Sequence, residues 1–111
     1  MRVPSAKSKT NYFRMKAIFI VFNQVLSERV KEMLGRAGVR GFSQWVDVQG
    51  RGSVSGEPHM GDDVWPALNS AMIAVVNSER VDEILAGVRK INENAQMQGI
   101  RAFVWNIEGT V

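Results

Sequence analysis

Ser27-Glu28-Arg29-Val30-Lys31-Glu32-Met33-Leu34 returns later in the chain as Ser78-Glu79-Arg80-Val81-Asp82-Glu83-Ile84-Leu85. Each copy opens on a serine, a good helix N-cap, followed by an acid in the first turn, where the helix dipole favours negative charge. In the first copy Val30, Met33, Leu34 and Ala37 fall at i, i+3, i+4 and i+7, which is one face of a helix. Gly38 stops that helix, with Arg36 near its carboxyl end. In the second, Val81, Ile84, Leu85, Val88 and Ile91 make the same kind of face, and the pattern fades in the polar stretch 92–98.

Strand-like segments flank both copies. Met15–Phe22 is apolar and rich in Ile, Val and Phe, so it reads as a central buried strand. Phe42–Val48 alternates at first and reads as a second strand. After Pro66, Ala67–Val76 reads as a third, and Ile100–Ile107 as a fourth, with Arg101, Phe103 and Trp105 on one face. The strands that precede the two helices end alike, in Asn23 and Asn77. Two βαβ halves related in this way predict a ferredoxin-like α+β fold: a βαββαβ sandwich, with a four-stranded antiparallel sheet and two helices on one face. The other sheet face then lacks cover. Trp45, Phe103 and Trp105 give it more apolar surface than two short helices hide, and such patches mark association, so a homo-oligomer is expected.

Composition narrows the functional classes. The chain has 111 residues, 45% hydrophobic and 23% charged, which fits one globular domain. It has no cysteine and one histidine, which excludes disulfides, thiolate metal sites, cysteine nucleophiles and multi-histidine sites within one chain. No apolar run approaches the ~20 residues of a membrane span. The net charge is +3, but Arg2, Lys7, Lys9 and Arg14 all fall in residues 1–14, which hold no acid. Residues 15–111 therefore carry ten basic against eleven acidic side chains. The segment 1–14 reads as a disordered basic extension, with Met15 heading the folded domain 15–111. No apolar stretch follows the basic residues before Met15, so no signal peptide is expected.

No complete catalytic motif is present, and the chain is not expected to be an enzyme. His59 is the one possible histidine base, and adjacent Asp62 and Asp63 are poorly placed to flank one bond. Residues 50–63 hold four glycines and a proline and read as a long loop. Gly50-Arg51-Gly52 would let backbone approach a phosphate closely, although no P-loop lysine follows. Glu57, His59, Asp62 and Asp63 offer mixed oxygen and nitrogen donors for a divalent metal. The run Arg101–Trp105 is similar to the aromatic strand of an RNA-recognition motif, but it lies on the fourth strand and not the third. With the domain itself slightly acidic, nucleic acid is not an expected partner, and these aromatics are assigned to a subunit interface.

Over nearly all of residues 15–111 the pattern resembles the PII-like (GlnB-like) signalling proteins. Gly38-Val39-Arg40-Gly41 matches the family's Gly-x-x-Gly turn into strand two, and Gly50-Arg51-Gly52 occupies the place of Gly-Phe-Gly at the base of its long T-loop. Val64-Trp65-Pro66 is similar to the Phe-Leu-Pro step that rejoins the sheet. Gln98-Gly99-Ile100-Arg101-Ala102-Phe103-Val104 aligns with Gly-Asp-Gly-Lys-Ile-Phe-Val, placing Arg101 where the family has a phosphate-contacting lysine. The sequence departs from the family at Asn23-Gln24-Val25-Leu26, where the family has Lys-Pro-Phe-Lys, and at Gln98 and Ile100, where glycines are lost. The resemblance implies a cytoplasmic, homotrimeric regulator with no direct membrane insertion. It implies a small effector such as ATP, ADP or AMP in the cleft between subunits, near Gly41, Gly50, Arg51, Gly52, Gly99 and Arg101. Loop 50–63 would meet a target protein such as a transporter or enzyme. The alternative is a metal-responsive protein of the CutA or cation-efflux-associated type, binding a divalent metal through Glu57, His59, Asp62 and Asp63. A third reading is an ACT-like interaction module with no ligand.

Overall fold

The computed structural model describes residues 14–51, 58–59, 68–94 and 99–111. Strand β1 runs Met15–Asn23 and helix α1 Ser27–Arg36, joined by a 3-10 turn at Gln24–Leu26. Strand β2 follows at Ser43–Val48 and β5 at Asn69–Asn77. Between them the two-residue strands β3 (Gly50–Arg51) and β4 (Pro58–His59) pair with each other. A 3-10 turn at Ser78–Arg80 leads into α2, Val81–Asn94, and β6 closes the order at Ile100–Asn106. The main sheet has strand order β2-β5-β1-β6, and β1 lies antiparallel to both of its neighbours. This is the βαββαβ sandwich expected from the sequence.

The core lies between the sheet and the helices. Ile18, Ile20 and Phe22 of β1, Met72, Ala74 and Val76 of β5 and Ile100 of β6 meet Val30, Met33, Leu34, Ile84, Val88 and Ile91 of the helices. Every second residue of β1 and β5 contributes, as the period of two requires, and in β6 Ile100 is joined by the partly buried Ala102 and Val104. Burying a side chain such as Phe22, 1% exposed, contributes about 1.5–3 kcal/mol.

The helix starts differ from the sequence expectation. Ser27 is the first helical residue and not the cap; the N-cap position is Leu26, with no side-chain cap bond. The Asn23 side chain instead accepts a hydrogen bond from the Val25 backbone N–H at 3.0 Å and sets the preceding turn. Ser78 likewise opens the 3-10 turn, and α2 begins at Val81. Counted from Asn23 and Asn77, Ser27 therefore corresponds to Val81, Val30 to Ile84, Met33 to Gly87, Leu34 to Val88 and Ala37 to Ile91. The repeated Ser-Glu-Arg-Val words are three residues, about one helical turn, out of phase with the structural repeat. The buried positions follow the structure and not the words.

Two glycines carry geometry. Gly38 takes φ +80°, the left-handed conformation that ends a helix, and the Arg80 guanidinium lies against it, donating to the Ala37 carbonyl at 3.2 Å. At Gly87 a Cβ would stand 2.4 Å from Met33 Cγ, so the missing side chain is what lets the two helices approach. The edge strand β2 carries a bulge: Trp45 pairs with Ala71 but Val48 with Asn69, one residue too many, and Asp47 absorbs it at φ 58°.

Candidate functional site

The sheet face away from the helices is open. Register places Trp45 opposite Ala71, Phe19 between Ile73 and Phe103, and Ala17 between Val75 and Trp105. Trp45, Val75, Phe103 and Trp105 are each close to half exposed. The aromatic surface expected from the sequence is therefore present, and small residues at 17 and 71 let the large ones lie over the strands between them. Arg101 shares this face, in register with Val21, and its guanidinium sits 5.8 Å from the Phe103 ring centroid. At that range the ring attracts the cation, which orients Arg101 along the sheet surface.

The proposed ligand residues fall into separate groups within one protomer. Val48, Asn69 and Asn23 lie in register, and the Asn23 N–H donates to the Gly99 carbonyl at 3.0 Å. Gly50 and Arg51, just past Val48, thus lie at the same end of the sheet as Gly99 and Arg101. They are on opposite edges, since β2 and β6 are the outer strands. Three inter-strand steps separate those edges by roughly 14 Å. Gly41, exposed ahead of β2, lies at the far end of that strand from Gly50. Gly52 lies outside the described residues.

The metal alternative falls mostly outside the described residues too: Glu57, Asp62 and Asp63 do, and His59 is described only as backbone in β4, paired with Gly50. Among the described residues no three potential metal ligands cluster. The sequence reading overlooked Asn69 and Ser70, both buried at the end of β5 that pairs with Val48. The Ser70 hydroxyl has no hydrogen-bond partner among the described residues. A polar pair opening a strand whose next six residues are apolar was the signal.

These features define a class: a ferredoxin-like sandwich with an apolar open face and a glycine-bounded insertion between its second and third long strands, the architecture of PII-like proteins. Residues 15–111 match the family described as nitrogen regulatory protein P-II, and the chain belongs to that family. Its members are regulatory proteins and not enzymes. Among solved structures the chain is similar to CPII, a nitrogen regulatory PII-like protein from Thiomonas intermedia. With ADP, AMP and bicarbonate bound, CPII shows 24% identity and a TM-score of 0.67, over 82% of this chain and 83% of that one. With ADP and bicarbonate the same protein gives 27% and 0.61, over 82% and 85%. The Bacillus subtilis GlnK-ATP complex gives 21% and 0.64, over 87% of this chain and 84% of that one. Comparison with curated protein sequences gave no match. The family match and these structures lend the metal alternative no support.

Proposed function

We propose that the protein is a homotrimeric signalling regulator that binds an adenine nucleotide between subunits and reports its occupancy to a target protein through loop 50–63. One observation carries the reading: the glycine-flanked end of β2 and the Arg101 cation stand at the same end of the sheet but on opposite edges. One protomer cannot close both on a single phosphate. A neighbouring copy, seated against the open apolar face, brings one edge to the other. Arg101 then offers a planar, bidentate donor to phosphate, and Gly50, Gly52 and Gly99 allow close backbone approach. Gly41, at the other end of β2, belongs to the turn and is not assigned to the site. The nucleotides in the CPII and GlnK structures support the choice of ligand class. The loop acts by population shift, which requires only that nucleotide favour one of its states. We assign the protein to the cytoplasm, where adenine nucleotides are available to it; no helix among the described residues is long and apolar enough to cross a membrane.

Calorimetric titration of the full chain with ADP, AMP and ATP, with and without bicarbonate, tests this. A charge-assisted hydrogen bond contributes about 1.5–3 kcal/mol. Arg101→Ala is therefore expected to weaken nucleotide by tenfold or more while the assembly mass stays unchanged in sedimentation. Undiminished affinity removes Arg101 from the site, and no nucleotide binding by the parent chain refutes the reading.

A further inference from the structure

On the helix side of the molecule, remote from the open sheet face, α1 and α2 enclose a groove of about 360 Å³. Met33, Ala37, Gly87 and Ile91 form its apolar floor, and Met33 and Ile91 are already buried there. Three cations, Arg29, Arg36 and Lys90, stand along its walls against one acid, Glu83. Among the described residues Arg29 and Lys90 form no salt bridge, whereas Arg36 pairs with Glu32 at 3.5 Å in an exposed contact that is easily exchanged.

We propose that this groove docks an acidic amphipathic helix of a partner protein. Charge selects an anionic occupant, and the spacing of the charges selects a helix. Arg29 and Arg36 are two turns apart on one face of α1, roughly 10 Å. A helix laid along the groove can meet both cations at once. A helix with glutamates at i and i+7 presents carboxylates at that spacing, and leucines at i+3 and i+4 fall between them onto the apolar floor, the usual grammar of helix-in-groove recognition. Glu83, at the amino-terminal end of α2, fixes the direction by facing a basic residue of the incoming helix. The surface is separate from the nucleotide reading, so the protein would hold its partner by one face and sense its effector at another.

The test uses the full chain, without nucleotide and then with saturating ADP. The probe is a fluorescein-labelled, alanine-based helical peptide with glutamates at i and i+7 and leucines at i+3 and i+4. A peptide with lysines in place of the glutamates is the control. Saturable binding of the acidic peptide alone is expected. Arg29→Glu with Lys90→Glu should weaken it more than tenfold, while Arg40→Glu with Arg89→Glu, the same charge change outside the groove, should change it less than threefold. All four positions are exposed, and thermal melts confirm that both variants fold. Absence of saturable binding overturns the proposal, as does equal weakening in the two variants. Displacement of the peptide by millimolar inorganic phosphate that itself requires Arg29 and Lys90 also overturns it, since the groove would then be a small-anion site. Because the first titration needs no nucleotide, these outcomes stand apart from failure of the nucleotide reading.

Discussion

Replacing Gly87 by alanine sets two opposed effects against each other. Gly87 lies inside α2, where alanine is the better helix former by about 0.8–1.0 kcal/mol. On an isolated helix the substitution would stabilise. Here the new Cβ would stand 2.4 Å from Met33 Cγ and 2.9 Å from its Sδ. Carbon atoms sit comfortably at about 3.5–4.0 Å, so the gap must open by more than 1 Å. Cγ is close to the backbone and cannot simply swing away, and Met33 is 7% exposed, held between the helices. Overpacking of this kind costs about 1–3 kcal/mol. The net expectation is a loss of about 1 kcal/mol. It is read by urea unfolding at fixed protomer concentration, with an unchanged m-value, and as a Tm lower by about 4 °C. In the Met33→Ala background the same substitution should become neutral or stabilising, because the obstacle is gone while the propensity gain remains. A Gly87→Ala protein more stable than its parent would show that the helices are not held at this contact and would refute the reasoning.

Gly38→Ala is expected to destabilise by about 1–2 kcal/mol in the same assay, because residue 38 takes φ +80° and its Cβ would meet Arg80 Nη1 at 2.9 Å. Arg80→Ala, which removes only the bond to the Ala37 carbonyl, should cost about 1 kcal/mol, and a larger loss than that of Gly38→Ala would reverse the assignment of strain to the backbone. Trp105→Glu places a charge on the open sheet face without disturbing the core, since Trp105 is 46% exposed. Sedimentation should show a reduced assembly mass with helical circular dichroism retained; an intact oligomer would move the subunit interface elsewhere.

What the sequence disclosed was set by how local each signal is. The apolar faces of both helices needed only the helical period: Val30, Met33, Leu34, Ala37, Ile84, Val88 and Ile91 are buried, while Val81 and Leu85, read on the second face, are half-buried. The open face was legible because Phe103 and Trp105 alternate with residues that point to the helices. The helix starts were not, because Ser-Glu-Arg-Val is a strong word that reads as a cap wherever it stands. The chain uses it once in the first turn of α1 and once in the 3-10 turn ahead of α2. Nothing local marks Gly87 as a contact or Asp47 as a bulge, since both answer to residues distant in sequence. The candidate ligand residues were legible along the chain but not in space: Gly50 and Arg101 fall at opposite edges of one sheet, and strand order is not marked by any local pattern.

The pairing of Met33 with Gly87 also governs which helices recognise each other. The two residues are equivalent in the two halves of the fold, so they face across its internal pseudo-twofold. A chain built from similar halves, gathered at high local concentration in an oligomer, risks exchanging them between copies. Here the side chain at one position fits the vacancy at the other. Two α1 helices would bring methionine against methionine, and two α2 helices would leave a void between facing glycines. Only the mixed pair fills the space, so the contact that lets the helices approach also makes each half select its complement rather than its own likeness.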